Sequence, residues 1–505
     1  MKRPLSIFLS FCFLITVLKS QNCVPQAVRL SLGNYYFHVL QANTTELLQI
    51  TFHTLGQCAY SYITIQDSTT NEIIQTISTN STSMFNITDN SLGYLQIENI
   101  YIHEYSVFGV LNFNEQYNYT IYPNSSSSDQ SRTFNFILPF RDTNKEKTET
   151  NIIFTGMMDI SNQSAITQMY LNYFAQRVNT TSIDAIVYVG DMAFNLEDNL
   201  YQNGLNFFTS IENFTAYIPF MPTPGVRDDA NNFEFYTKMI SSPDDNLYND
   251  FYYAFNLGYA HFVQINMAYY FTGTNNTLIN NLYSWLEADL SDANKKVNRM
   301  ARPWLIVYGY NSFYCSNTTD PFCGSHTGAA AGITALETLF YTYKVDLYIS
   351  ASNLPVYERL KPLYKEKAYG FSSNIPSDTL YQEMVNPLAT IYLIDAAAGN
   401  YLFFNGETDL SQQLQNYDRG IYSLRVDQYQ GIGIMTIKSP TVIEFLQLTT
   451  ESYSMEYTDN FTLINTLTKW EDDWPLTDKI TFISAAVVFT IIGGIILIIF
   501  MLSLE

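Results

Sequence analysis

The stretch Asp184–Leu196, DAIVYVGDMAFNL, restricts the possible folds more than any other part of the chain. Its first half, Ala185-Ile186-Val187-Tyr188-Val189, is apolar throughout and breaks off at Gly190-Asp191. A run with no polar face suits a central strand of a parallel sheet covered on both sides. A carboxylate directly after such a strand stands at its C-terminal edge, where open α/β sheets build their sites. Gly-Asp also makes an ordinary turn. The stretch alone therefore leaves a site aspartate and a turn aspartate equally open.

With 505 residues the chain is too long for one core and should form two or more domains. A hydrophobic content of 47% supports packed cores rather than bulk disorder. The net charge of −22 argues against nucleic acid as a partner, because no basic patch is at hand to neutralise phosphates. Met1-Lys2-Arg3 followed by apolar Leu5–Leu18 reads as a signal peptide over residues 1–20, with Ser20 where cleavage would fall. Near the other end, Ile480–Leu504 is an uncharged run long enough to span a bilayer with some tilt. The expectation is a single-pass type I membrane protein of the secretory pathway, with the bulk of the chain extracytosolic. The cell surface and a vacuole- or lysosome-like compartment fit equally. A lipid-anchor signal is the rival reading, but it needs small residues and then a polar spacer. Here Ser484-Ala485-Ala486 runs straight into apolar residues, which favours a true span.

Cysteine usage agrees with that compartment. Beyond Cys12 of the signal, Cys23, Cys58, Cys315 and Cys323 remain. The close spacing of Cys315 and Cys323 suggests one local bridge, leaving Cys23–Cys58 as the other. Sequons at Asn43, Asn80, Asn86, Asn118, Asn124, Asn162, Asn179, Asn213, Asn275, Asn317 and Asn460 suggest a glycosylated ectodomain. Some of them arise by chance in an Asn-rich chain.

Residues 21–140 read as all-β, with strand-like alternation at Ala27–Leu32, Leu47–His53, Tyr60–Gln66 and Tyr117–Ile121. A sandwich is expected there. The polar run Arg141–Thr150 is a linker. Over 151–450 strands and helices alternate, as in an α/β domain. Strands are expected at Asn151–Thr155, Ala185–Val189, Ala216–Phe220, Trp304–Tyr308 and Val345–Ser350, with helices at Leu278–Leu290 and Ile333–Tyr343. Ile166, Met169, Tyr170, Tyr173 and Phe174 recur at helical spacing and should be core. Ile421–Val426, Ile432–Ile437 and Val442–Leu446 close the domain as strands. Residues 451–479 are left as a stalk, and 480–504 as the span.

Several short motifs, in order, resemble one family. They are PQAVRLSLG at Pro25–Gly33, the stretch Tyr101–Ile121, VGDMAF, PFMPTPGVRD, ARPWLIVYGYNSFYCSN, VDLYIS and VYERLKPLY. In this order and spacing they resemble the purple acid phosphatases, within the calcineurin-like metallophosphoesterases. The resemblance covers nearly the whole ectodomain. It implies a fibronectin-like β-sandwich followed by a four-layer αββα domain. It also implies a dinuclear Fe, Zn or Mn centre that binds a phosphate ester and generates a hydroxide. The family's ligands come from GDxG, GDxxY, GNH(D/E), VxxH and GHxH, each at a strand end.

At those places this sequence departs from the family. Gly156-Met157-Met158-Asp159 has a thioether at Met157 in place of the ligand aspartate. Gly190-Asp191-Met192-Ala193-Phe194 keeps the bridging aspartate but carries Phe194 for the tyrosinate. Val226 and Arg227 replace an amide and a histidine, and Tyr310 replaces the histidine after Val307. In the last motif the two histidines fall on Ser352 or Asn353 and on Pro355. Only Asp191 remains. The chain's five histidines, His38, His53, His103, His261 and His326, cannot supply the missing ligands, and His261 reads as a core residue. Losing several ligands removes both nucleophile and Lewis acid, so neither cofactor nor catalytic residue is expected.

Asp191, deprived of its dication, must then be solvated, protonated or paired. Arg227 is the candidate partner, with a surface arginine beside Asp228-Asp229 as the bland alternative. A second alternative keeps a hard cation on three carboxylates, Asp159, Asp191 and Asp228. Two function classes follow. One is a membrane-anchored pseudoenzyme that binds or assembles with an unidentified protein partner. The other is a divergent acid phosphatase.

Overall fold

The computed structural model describes residues 23–466 except 34–45, 56–61, 79–80, 90–95, 110, 123–130, 140–148, 159–164, 179–182, 194–195, 200, 241–250, 273–275, 317–329, 352–355, 371–381, 396–397, 400–421, 428 and 452–453. The chain divides into two compact units, Met1–Ile464 and Asn465–Glu505, and of the second only 465–466 are described. No helix among the described residues is long and apolar enough to cross a membrane. The segments expected to be a signal peptide and a span, 1–20 and 480–504, lie outside the described residues.

The first eight strands are β1 (Gln26–Leu32), β2 (Glu46–Thr54), β3 (Tyr62–Asp67), β4 (Ile73–Ser78), β5 (Ser81–Asp89), β6 (Gln96–Phe108), β7 (Gln116–Tyr122) and β8 (Arg132–Ile137). They form two antiparallel sheets in the orders β1-β2-β6-β5 and β4-β3-β7-β8. Alternate residues from both sheets meet in one core, among them Leu30, Ile50, Phe52, Ile65 and Tyr119. This is the sandwich that the strand alternation implies.

The α/β part opens with β9 (Thr150–Thr155), α1 (Ala165–Arg177), β10 (Ala185–Val189), α2 (Gln202–Thr215), β11 (Phe220–Thr223) and α3 (Glu234–Met239). It continues through β12 (Tyr253–Leu257), β13 (Ala260–Gln264), α4 (Ala268–Thr272), α5 (Asn276–Ala293), α6 (Lys296–Ala301), β14 (Trp304–Tyr308), α7 (Ala330–Thr342) and β15 (Leu347–Ser350). Then come β16 (Tyr357–Tyr364), β17 (Lys367–Ala368), β18 (Glu383–Val385), β19 (Thr390–Ile394) and β20 (Ser423–Asp427). The unit closes with β21 (Gln430–Ser439), β22 (Val442–Glu451) and β23 (Ser454–Ile464).

These strands build two sheets. One has seven strands, in the order β11-β10-β9-β21-β22-β23-β18. The other has eight, β12-β13-β14-β15-β19-β16-β17, with β20 beside β16. The sheets share an apolar core that includes Phe154, Val187 and Met435 from one and Phe262, Ile306 and Leu347 from the other. On the outer faces, Phe207 of α2 meets Tyr188 and Phe340 of α7 meets Tyr348. The β10 run is buried at every residue, as its composition requires. In α5, Leu282, Leu286 and Leu290 recur every four residues and are fully buried.

Two expectations need correction. Ala216–Phe220 is not a strand. The helix runs to Thr215, Ala216 closes it by donating its N–H to the Glu212 carbonyl, and pairing with β10 starts only at Phe220. Nor does a stalk begin at 451. The strand β23 extends the seven-stranded sheet to Ile464, because Phe461 and Leu463 alternate into the core opposite Phe445 and Ile443.

The sandwich is fastened to the α/β part through β1. Leu30 bridges Pro219, and the Glu212 carboxylate accepts from the Val28 N–H at 2.9 Å and from Arg132 of β8 at 2.9 Å. The Tyr119 hydroxyl donates to the Ala216 carbonyl at 2.6 Å. Arg29 is buried against the Phe208 ring and donates to the Met239 carbonyl. Cys23 and Cys315 are disulfide-bonded, while Cys58 and Cys323 lie outside the described residues, so the pairing stays an expectation.

Burial makes the sandwich sensitive to acid. His53 is held down to about 3 by burial, then by the Arg29 charge and His103, and burial holds His103 at about 4. Below the unfolded value near 6.5 the unfolded chain takes up protons that the native chain refuses. The contribution of these two histidines should therefore be flat above about pH 7 and fall as pH drops toward 4, by up to about 1.4 kcal/mol per pH unit for each, while buried carboxyls with raised pKa values act in the opposite sense. Thermal unfolding at pH 7 and pH 4.5 checks this. Relative to the parent, His53→Leu should raise the pH 4.5 midpoint with respect to the pH 7 midpoint.

Candidate functional site

The strand ends β9, β10, β11 and β14 converge at one edge of the two sheets. Asp191 follows β10, with φ at 50°, and is fully buried. The left-handed region costs an Asp less than most residues, because its short polar side chain bonds locally. The backbone before it has no room for a side chain: a Cβ on Gly190 would stand 2.3 Å from Cδ2 of Tyr310, at a φ of 72°. A Cβ on Gly225 would stand 2.3 Å from the backbone N of Asp191. These glycines let three loops meet.

Asp191 is enclosed by hydrogen-bond donors. The Tyr310 hydroxyl donates to its Oδ2. The Arg227 backbone N–H donates to Oδ1 at 3.0 Å, and the Arg227 Nε stands 3.5 Å from Oδ2. The Asp191 side chain is 1% exposed and that of Arg227 is 32% exposed. The pairing expected between Asp191 and Arg227 is thus present in the geometry, and Arg227 is not a remote surface arginine. Asp228 is buried beside them. It accepts from the Met192 N–H at 3.1 Å and from the Gly225 N–H at 2.8 Å. Those bonds tie the β10 loop to the β11 loop.

The electrostatics follow from burial. Desolvation raises Asp191 above the usual carboxylate range, against the Tyr310 bond and the Arg227 N–H and guanidinium. Desolvation, and then the Asp191 charge, raise Asp228 well above that range. Tyr310 is likewise pushed well up, so its hydroxyl keeps its proton and donates it. The cluster is closed on itself.

Two other ligand positions among the described residues, Met157 and Val226, hold no hard donor. Met157 is buried with φ at 51°, and its N–H donates to the Gly190 carbonyl at 3.1 Å. Val226 packs half-buried against the core. Asp159, Phe194, Asn353 and Pro355 lie outside the described residues, as do His38 and His326. The three-carboxylate arrangement therefore has only Asp191 and Asp228 among the described residues, and each is already engaged. No group of three or more His, Cys, Asp or Glu able to hold a metal occurs among the described residues. His261 lies away from this edge, between Asn256 at 2.7 Å and Asp289 at 3.0 Å. Of the sequons, Asn213 and Asn460 are exposed and Asn118 is partly buried in β7. Asn86 lies in β5, and the rest are outside the described residues.

Sequence reasoning noted Tyr310 as a lost histidine and missed it as the donor to Asp191. The available signal was the motif after β14, VYGY, which ends its strand on the facing sheet as GD ends β10. No one-dimensional pattern says that the two strand ends meet.

Comparisons with known proteins agree with the fold. No family model matches the chain. The chain is 35% identical over 222 residues to acid phosphatase type 7 of Homo sapiens, covering 43% of this chain and 48% of the relative. It is 26% identical over 202 residues to purple acid phosphatase 21 of Arabidopsis thaliana, covering 38% and 42%. The chain thus spans about half the length of the curated relatives it matches. In structure it is similar to the purple acid phosphatase PPD1 of yellow lupin, with a TM-score of 0.66 at 16% identity, covering 89% of this chain and 76% of that one.

The tight contacts at this edge lead to a prediction. Gly225→Ala must displace the Asp191 backbone and should lower stability by about 3 kcal/mol. Chemical denaturation of the variant beside the parent measures it, and an unchanged midpoint would show that the loops are not in close contact.

Proposed function

We infer that this relative of the purple acid phosphatases has kept their fold and given up their chemistry, acting as a membrane-tethered, glycosylated pseudoenzyme that binds or assembles with a protein partner. The observation that carries the reading is the donor set around Asp191. A dinuclear Fe, Zn or Mn centre asks for hard oxygens, imidazoles and a tyrosinate. The described positions offer a thioether at Met157, an isopropyl at Val226 and a protonated phenol at Tyr310. The residues do not fit the centre, and no hydrolytic step is derived through it.

The tether rests on the uncharged run Ile480–Leu504, and the glycans rest on sequons such as those at exposed Asn213 and Asn460. The competing reading is a divergent acid phosphatase. It is favoured by the 35% identity to proteins named acid phosphatase and by the surviving Asp191. One experiment separates them. The purified full chain is assayed on p-nitrophenyl phosphate at acid and neutral pH, with metal content measured on the same sample. The expected outcome is hydrolysis no faster than buffer and substoichiometric Fe, Zn and Mn. Turnover that tracks two bound metal ions per chain would replace this reading with the enzymatic one.

A further inference from the structure

We propose that Tyr310 and Arg227 stand in for the family's two cations as the cross-link between the two sheets, so that the fold closes without metal. The proposal rests on the non-catalytic reading above and adds what replaced the ions. Asp191 belongs to the seven-stranded sheet, through β10, and Tyr310 to the eight-stranded sheet, through β14. The hydroxyl bond between them spans the two sheets at their C-terminal edge. Arg227 comes from the loop after β11, so its N–H and guanidinium bring a third strand end to the same carboxylate. A carboxylate bridged by two cations and one bonded by a phenol, an amide N–H and a guanidinium are held by different chemistry. In both, charge and bonds from several strand ends converge on one carboxylate.

Tyr310 is placed for this by its own backbone. Beyond β14 the pairing with the next strand continues, the Gly309 N–H donating to the Ile349 carbonyl at 3.1 Å and the Ala351 N–H to the Tyr310 carbonyl at 2.9 Å. The ring is fully buried and rests on Gly190, where even a methyl group would collide with it. The backbone of Tyr310 is thus held by the sheet, and its ring is confined against Gly190. The bland alternative is a core tyrosine that fills space, its hydroxyl contact incidental. Phenylalanine would serve that role as well as tyrosine does. It would not serve the cross-link, because a buried carboxylate oxygen would lose its donor.

Thermal unfolding of the full-length protein tests the idea. Tyr310→Phe should lower the midpoint by roughly 1–3 °C. Arg227→Gln, at a side chain one-third exposed, should lower it less. In the double variant Asp191→Asn with Tyr310→Phe, the loss should fall short of the sum of the single losses, since the pair acts as a unit. Excess EDTA should leave the parent midpoint unmoved, and added zinc should not raise it. A Tyr310→Phe midpoint equal to the parent's, or a midpoint that falls with EDTA or rises with zinc, would overturn the cross-link. If the chain is also inactive, an unmoved Tyr310→Phe midpoint sinks only this inference and leaves the non-catalytic reading in place. Turnover with bound metal sinks both.

Discussion

The structure depends on keeping one carboxylate out of water. Asp191 follows β10, the second strand of its sheet, and is fully buried there, so a bare charge would be expensive. Several of its neighbours reduce that cost. Gly190 and Gly225 allow the loops to come within contact distance, Tyr310 and Arg227 bring donors, and Asp228 spends its own oxygens on backbone N–H groups rather than on its neighbour. Met157 and Asp191 both hold left-handed backbone conformations, and for a residue such as Met157 that conformation persists only when its surroundings over-determine it.

A second constraint links the sandwich to this edge. The Glu212 carboxylate on α2 receives the Val28 N–H of one sandwich sheet and the Arg132 guanidinium of the other. One helix of the α/β part therefore holds both layers of the sandwich. The same helix packs Phe207 on Tyr188 of β10, the strand that ends in Asp191. Orientation of the sandwich and the backing of the site strand are thus set by one helix. For a chain proposed to act by recognition, such a join favours a single rigid surface over two modules moving apart.

Much of this was legible along the chain. The buried run Ala185–Val189, the helical spacing of Tyr170 and Phe174, and the alternation in β1, β2 and β7 each follow from a local period. Boundaries were less so. Ala216–Phe220 reads as a strand by composition but begins with the close of a helix, and β23 carries enough polar residues on its open face to pass for a stalk. In both cases the deciding partner lies far away in sequence, β10 in one and β22 in the other.

By itself the sequence determined most of the element types, the resemblance to a metallophosphoesterase scaffold and which residues stand at that family's ligand places. Residue identity at strand ends is local information, and a valine or a methionine is no hard ligand in any fold. Only the tertiary structure decided what those residues touch. Asp191 and Tyr310 are separated along the chain by more than a hundred residues, and their bond exists because two sheets bring two strand ends face to face. Burial, the quantity that makes that bond matter, belongs to the packed molecule and not to any stretch of chain.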